Sequence, residues 1–160
     1  MGKISIYTDG AAKGNPGPGG YGVVLEYKGH RKEISEGFKI TTNNRMELLA
    51  VIVGIEAIKE SGHQITIYSD SKYVVDAINK KWVFNWEKKQ FKKKKNSDLW
   101  IRFLKIYRKH DIRLKWIKGH SGHIQNERCD LLAVTASNKI QLLNDTGYEL
   151  NQNNPTTLFD

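Results

Sequence analysis

Four carboxylates stand where a strand pattern ends or a helix pattern begins, and residues of this type could together hold hard metal ions. Asp70 directly follows the alternating apolar stretch 65–69, and Asp9 follows a similar stretch near the N-terminus. Glu47 and Asp130 fall early in two predicted helices. Carboxylates brought to one place repel one another unless cations neutralise them, and oxygen-only ligands suit Mg²⁺ or Mn²⁺. Convergence of the four acids would therefore imply a metal site.

The elements that must position these acids follow from hydrophobic periodicity. Strands are predicted at 3–8, 21–27, 33–40, 65–69 and 113–117, and the first three form an antiparallel meander. Helices are predicted from 45 to about 61, from 72 to about 79, over 98–110 and over 126–143. The glycine-rich stretch 14–20 is predicted as a loop whose glycines allow a bulky backbone to approach closely. This order predicts an α/β fold with one mixed sheet and helices on its faces.

Length and composition narrow the classes of protein. A chain of 160 residues is the size of one domain and can bury a core without disulfides, and Cys129 is its single cysteine. No apolar run approaches the roughly 20 residues that a membrane-spanning helix needs, and the N-terminal residues enter a strand pattern directly. We therefore expect no membrane association, a cytoplasmic location and a monomer.

Positive charge is concentrated in one segment. The formal net charge is +9, and residues 80–95 hold eight lysines against one glutamate. Such a patch attracts polyanions by releasing their condensed counterions, which favours nucleic acid over a small acidic substrate. A lysine-rich solvated face is the alternative. Aromatic residues are interleaved with the lysines. Trp82 and Trp86 are at helical spacing, so they could belong to the core or stack on the bases of a nucleic acid.

A set of motifs in this chain resembles the type 1 ribonucleases H in their stand-alone bacterial form. The motifs are Tyr7-Thr8-Asp9-Gly10, Thr41-Thr42-Asn43-Asn44-Arg45-Met46-Glu47-Leu48, Ser69-Asp70-Ser71, Gly119-His120-Ser121-Gly122-His123 and Asn126-Glu127-Arg128-Cys129-Asp130. They occur in family order, which makes the set far more specific than any one motif. The resemblance implies a mixed five-stranded sheet, with three antiparallel strands and then parallel strands.

The same resemblance implies the activity and its catalytic residues. It implies endonucleolytic hydrolysis of the RNA strand of RNA–DNA hybrids with two Mg²⁺ ions, for which Mn²⁺ can substitute, giving 5′-phosphate and 3′-hydroxyl ends. The metal-binding carboxylates of the family fall on Asp9, Glu47, Asp70 and Asp130, and its mobile active-site histidine falls on His120. The catalytic domain would be residues 1–145, and residues 146–160 would be a polar, partly disordered tail.

A substrate surface is implied as well. Short amides at Asn15, Asn43 and Asn44 suit recognition of the RNA 2′-hydroxyl in a wide, shallow minor groove, and the segment at about 80–97 resembles the basic protrusion of the family. The predicted substrate-binding residues are Asn15, Thr42, Asn43, Asn44, Trp82, Asn85, Trp86, Lys88, Lys89, Lys92, Lys93, Lys94 and Lys95. The chain departs from the family near this surface: aligning Trp82 needs one extra residue after Asp70, and Lys72 replaces a polar amide.

Alternative interpretations remain beside this one. Singly, each of the four acids could be a turn former, a helix cap or a solvated carboxylate. His120, His123 and Cys129 could suggest zinc, although a thiol inside a helix disfavours it. A protein that binds hybrids without cutting them is one rival, against which the intact acidic positions count. A transposase or integrase core is another, which the TTNNRMEL stretch and the short chain disfavour.

Overall fold

The computed structural model describes residues 2–153, which form five strands and six helices within that range. The strands are β1 (Lys3–Ala12), β2 (Gly17–Tyr27), β3 (His30–Thr41), β4 (Gln64–Ser69) and β5 (Asp111–Trp116). The helices are α1 (Asn43–Glu56), α2 (Lys72–Asn79), α3 (Trp82–Lys88), α4 (Ser97–Tyr107), α5 (Ile124–Ser137) and α6 (Thr146–Asn153).

The five strands form one mixed sheet in the order β3-β2-β1-β4-β5. The pairs β1–β2 and β2–β3 are antiparallel, whereas β1–β4 and β4–β5 are parallel. The predicted fold class is therefore confirmed. In this arrangement β1 and β4 lie side by side and run in the same direction, so Asp9 and Asp70 reach the same edge of the sheet.

Helices cover both faces of the sheet. A Cβ atom built at Gly54 of α1 would lie 2.8 Å from Ile6 and 3.3 Å from Val23, so α1 packs on the face to which these side chains point. A Cβ atom at Gly22, the neighbour of Val23, would lie 2.2 Å from the carbonyl oxygen of Cys129 in α5. Because side chains alternate along a strand, α1 and α5 lie on opposite faces.

Residues 17–20 belong to β2, so the prediction of a loop over 14–20 was wrong for its second half. Glycine has a low strand propensity, but here the absence of side chains is what lets α5 approach. A Cβ atom at Gly20 would stand 2.5 Å from the carbonyl oxygen of Ala133. The expectation that these glycines admit a close backbone is confirmed at this position.

The last long helix was predicted to reach residue 143 but ends at Ser137, so the prediction was six residues too long. Beyond the helix end, the main chain of Leu143 pairs with β3. The amide of Leu143 donates to the carbonyl of Gly37 at 2.9 Å, and the amide of Lys39 donates to the carbonyl of Leu143 at 2.8 Å. The chain thus returns to the edge of β3.

Two segments have helices that the sequence interpretation did not include. Helix α3 lies within the basic segment, and α6 occupies residues 146–153 of the predicted tail. The partial disorder expected within the tail at 146–160 stays a prediction, because residues 154–160 lie outside the described residues. Across residues 2–153, no helix combines the length and the apolar character needed to cross a membrane.

Candidate active site

Three carboxylates meet at the end of the sheet where β4 terminates, beside the two inner strands β1 and β4. Asp9 comes from β1, Asp70 follows the last residue of β4, and Glu47 comes from the second turn of α1. One ligand oxygen from each side chain lies within 4.8 Å of those of the other two. The position follows from the topology, because the parallel register pairs Tyr7 with Tyr68 and so brings Asp9 level with Asp70 where β4 ends, although β1 continues to Ala12 beyond its predicted end at residue 8.

In this acidic cluster (Asp9, Glu47 and Asp70), burial and mutual repulsion of the carboxylates raise the pKa values of two of the three side chains. Burial, followed by the negative charge of Asp70, raises the pKa of Asp9 to about 7 from an ordinary value of 3.8. Burial and the charges of Asp9 and Asp70 also raise the pKa of Glu47 well above 4.5. Full ionisation of the cluster therefore costs free energy unless a cation compensates the charge.

The residues present fit a divalent cation. The donor set consists only of carboxylate oxygens, the type of ligand that hard cations select. Glu47 is 9% exposed, and its Oε1 atom is buried with no hydrogen-bond partner in the protein. A buried acceptor of this kind is costly when it is unpaired, and a metal ion at the cluster would satisfy it.

Asp130 and His120, the other two predicted catalytic residues, lie beside the cluster rather than in it. Asp130 is in the second turn of α5, half-buried, and its charge contributes to the raised pKa of Asp9. Its oxygens are not part of the group within 4.8 Å. His120 is exposed in the loop between β5 and α5 and has a φ of 55°.

The residues considered for zinc have other contacts. The Nδ1 atom of His123 accepts from the amide of Asn126 at 3.3 Å and so caps α5. Its ring packs against Tyr7, with the ring centroids 5.4 Å apart. Cys129 is fully buried where α5 crosses β2, and burial raises the pKa of its thiol to about 12. A thiol of this kind stays protonated and is a poor metal ligand.

The predicted amide residues form a connected surface at the start of α1. The side-chain oxygen of Asn15 accepts from the amide of Asn43 at 2.9 Å, and the side-chain oxygen of Asn43 accepts from the amide of Ala12 at 2.6 Å. Thr42 caps the helix by accepting from the amide of Arg45 at 3.2 Å. The structure therefore joins the connection between β1 and β2 to the first turn of the helix that carries Glu47.

The basic segment is anchored by apolar side chains and presents its lysines to solvent. Val83 is fully buried, Phe91 is 8% exposed, and the ring of Trp86 packs edge-on against Trp100 at 5.7 Å. Trp82 is 44% exposed. The remaining predicted residues of the segment are exposed: Asn85, Lys88, Lys89, Lys92, Lys93, Lys94 and Lys95. Of the two tryptophans, Trp86 thus belongs largely to the core, and Trp82 has a face free for other contacts.

One buried ion network supports the site and was missed from the sequence. Arg45 is 2% exposed and forms bidentate hydrogen bonds both with Asp98 at the start of α4, at 2.8 and 2.9 Å, and with Asp145 before α6, at 2.7 and 2.9 Å. Burial alone would lower the pKa of Arg45, but the two carboxylates outweigh it and raise the pKa. The network ties the first turn of α1 to two other elements. The sequence signal that could have indicated this network was an arginine at the start of an otherwise apolar helix pattern.

Comparison with known proteins agrees with this geometry. The model of the RNase H family matches residues 1–138. The chain belongs to the ribonuclease H family. The ribonuclease H of Desulforamulus reducens is 54% identical over 145 residues, covering 88% of this chain and 91% of the relative. That of Trichodesmium erythraeum is 51% identical over 152 residues, covering 92% and 96%.

Solved structures place this ribonuclease H with the type 1 enzymes. LC9-RNase H1, a type 1 RNase H, superposes with a TM-score of 0.79 at 29% identity, covering 99% of this chain and 84% of that one. LC11-RNase H1 in complex with an RNA/DNA hybrid superposes with a TM-score of 0.59 at 28% identity, covering 83% and 95%. The resemblance drawn from the motifs is confirmed.

Proposed function

We propose that this ribonuclease H hydrolyses the RNA strand of RNA–DNA hybrids with divalent ions held by Asp9, Glu47 and Asp70, and with Asp130 completing the site. The observation that carries the proposal is the acidic cluster, in which three carboxylates lie within 4.8 Å and Glu47 keeps an unpaired buried oxygen. Mg²⁺ is the proposed ion and Mn²⁺ a substitute, because both prefer oxygen ligands.

Each catalytic side chain has a distinct task in this proposal. Asp9, Glu47 and Asp70 would hold the divalent ions from three different elements of the fold. The bound ions would supply an activated water and stabilise the leaving 3′ oxygen of an in-line displacement. Asp130 approaches from α5 on the opposite face of the sheet. His120, exposed on its loop, would transfer a proton or assist product departure.

The proposed substrate surface extends from the polar side chains around the start of α1 to the basic segment. Asn15, Thr42, Asn43 and Asn44 are proposed to contact the RNA strand in the minor groove, where the 2′-hydroxyl distinguishes RNA from DNA. The exposed face of Trp82 and the neighbouring Asn85 and Trp86 are proposed to contact the DNA strand. Lys88, Lys89, Lys92, Lys93, Lys94 and Lys95 are proposed to bind phosphates. The hybrid bound to the related LC11-RNase H1 supports this choice of substrate.

We also propose that the protein acts as a monomer in the cytoplasm. The acidic cluster is contributed by a single chain, so the site needs no second copy. Cys129 is a free buried thiol, which suits a reducing compartment. Light scattering of the purified protein with and without hybrid would measure its mass, and a dimeric mass at working concentration would contradict this part of the proposal.

The proposed activity is tested with four labelled substrates of one sequence. RNA–DNA, RNA–RNA and DNA–DNA duplexes and single-stranded RNA are incubated with the protein in Mg²⁺ and, as controls, in excess chelator. We expect cleavage of the RNA strand of the hybrid alone, only with metal, and products bearing 5′-phosphate ends. Binding of the hybrid without cleavage would make the protein a hybrid-binding module, and cleavage of the DNA duplex would support the transposase-like alternative.

A further inference from the structure

The side chain of Trp116 forms a hydrogen bond with the main chain of Asp70, a member of the acidic cluster. Trp116 is the last residue of β5 and pairs with Ser69, the last residue of β4. Its indole Nε1–H reaches past the end of the strand and donates to the backbone carbonyl oxygen of Asp70 at 3.0 Å. A side chain of β5 therefore holds the main chain of a proposed metal ligand at the point where that chain leaves the sheet.

Hydrogen bonds on either side of Asp70 fix the residues before and after it. The amide of Ile117 donates to the carbonyl of Ser69 at 2.9 Å, which is the last bond of the sheet on this side. The amide of Ser71 donates to the Oγ of Ser69 at 3.1 Å, and Ser71 then caps α2. Asp70 is the single residue between the end of the sheet and the cap. The indole N–H fixes its carbonyl there.

The segment after Trp116 also restrains the side chain of Asp70. A Cβ atom at Gly119 would lie 2.6 Å from the Oδ2 atom of Asp70, so the loop leaving β5 passes directly against the carboxylate. Trp116 itself is 45% exposed, and the ammonium group of Lys72 lies 4.9 Å from the centroid of its ring. The cation–π contact holds the indole from its open side.

We propose that Trp116 is a positioning residue that sets the affinity of the acidic cluster for metal by holding the main chain of Asp70. It touches no reacting atom, and its effect passes through the hydrogen bond to the Asp70 carbonyl. The inference rests on the proposed role of Asp70 as a metal ligand. It predicts that loss of the indole N–H loosens Asp70 and weakens metal binding, whereas contacts with the hybrid are unchanged.

The deciding variant is Trp116→Phe, which keeps an aromatic ring beside Lys72 but removes the donor. Titration calorimetry of the free protein with Mn²⁺ should show affinity reduced about three- to tenfold, the range expected for one lost hydrogen bond. The Mg²⁺ concentration that gives half-maximal cleavage should rise by a similar factor, while kcat at saturating Mg²⁺ and KM for the hybrid stay within twofold. Ile101→Ala, on an exposed site of α4, is the matched control and should change none of these.

Further variants separate the positioning role from ring packing, substrate contact and a purely structural role. Trp116→Leu should weaken Mn²⁺ binding as much as Trp116→Phe, and normal affinity in the Phe variant with loss in the Leu variant would assign the effect to ring packing. A raised KM with an unchanged metal titration would make Trp116 a substrate contact, and a lowered Tm with unchanged metal affinity would make it merely structural; each contradicts the proposal.

Asp70→Asn is titrated with Mn²⁺ in parallel, because the inference depends on Asp70 being a metal ligand. If Asp70→Asn also binds Mn²⁺ normally, the proposed metal site fails as a whole. Weak binding in Asp70→Asn beside normal binding in Trp116→Phe overturns only the role of Trp116.

Discussion

The backbone of Gly10 lies directly against the peptide bond that leads into Glu47. A Cβ atom at Gly10 would stand 2.4 Å from the carbonyl carbon of Met46 and 2.5 Å from the amide nitrogen of Glu47. No side chain fits between β1 and α1 at this point. The close approach sets how near the carboxylate of Asp9, the preceding residue, comes to that of Glu47.

Gly10→Ala should therefore damage both stability and activity. The methyl group meets backbone atoms that cannot rotate away, so α1 must shift from β1, at a cost of about 1–3 kcal/mol. Displacement of Glu47 should lower kcat by at least tenfold. Urea unfolding and cleavage of a hybrid measure the two effects, and Gly119→Ala is the informative comparison. There the added methyl meets only the movable carboxylate of Asp70, so kcat should fall while the unfolding free energy stays nearly constant.

If Gly10→Ala kept full activity, the spacing between β1 and α1 would not control the site. Equal losses of stability in the two variants would show that the contact with Asp70 is as rigid as the contact with Glu47.

The raised pKa of Asp9 predicts a pH-dependent instability of the metal-free protein. Because the folded pKa, about 7, lies above the ordinary 3.8, ionisation of Asp9 opposes folding. Its cost is absent below about pH 4, grows as the pH rises, and is complete above about pH 7. Glu47, whose pKa is also raised, contributes with the same sign. In chelator, Asp9→Asn should melt several degrees above the parent protein at pH 8 and at nearly the same temperature at pH 4.

Mg²⁺ should remove most of that difference at pH 8, because it binds and stabilises the parent protein and binds the variant weakly. Melting curves at several pH values, with and without Mg²⁺, test this linkage. A difference between parent and variant that does not depend on pH would mean that Asp9 is not held in a repulsive cluster.

The lysines of the basic segment should act on binding rather than on chemistry. Replacing Lys92, Lys93, Lys94 and Lys95 together by glutamine should raise KM for the hybrid much more than it lowers kcat, because phosphate contacts far from the cut bind ground and transition states alike. Each lost phosphate contact should flatten the log–log salt dependence of binding by about 0.9. Replacement of the exposed Lys3 and Lys32, on strands at a distance from this segment, is the control. An unchanged salt slope would make the four lysines bystanders.

Replacing the two histidines before α5 should have different effects, one on the catalytic rate and the other on stability. His120→Ala should slow kcat by up to the 10²–10⁴-fold typical of general acid–base catalysis and leave KM little altered. His123→Ala removes the cap of α5 and should lower stability by about 1 kcal/mol with little effect on rate. Kinetics and melting curves for both variants decide between the roles. Loss of Mg²⁺ binding in His120→Ala would turn that residue into a metal ligand.

The sequence predicts those parts of the site that follow from local pattern and topology. Asp9 and Asp70 were found because each stands where an alternating strand pattern stops, and the parallel pairing of β1 and β4 brings such positions together. The capping residues before α1 likewise identify the turn that carries Glu47. These features need only the period of the pattern and the residue at its end.

The features that were missed depend on contacts between distant elements. The helix pattern of α5 continues in sequence past Ser137, but the helix ends there and the main chain of Leu143 forms hydrogen bonds with β3 instead. Residues 17–20 were predicted as loop because glycine disfavours strands, although at Gly20 the approach of α5 leaves no room for a side chain. The hydrogen bond from Trp116 to Asp70 and the network around Arg45 join residues far apart in the chain. No local pattern encodes these pairings.

We propose that the acidic cluster holds the metal that cleaves the hybrid, and Asp70→Asn tests this claim most directly. Single-turnover cleavage of one hybrid in Mg²⁺ is measured beside hybrid affinity in chelator and the melting temperature. We expect cleavage to fall by about 10³-fold or more, since the metal supplies several kcal/mol of transition-state stabilisation, with affinity within about threefold of the parent protein and an equal or higher melting temperature. Near-normal turnover of Asp70→Asn in Mg²⁺ would contradict the claim.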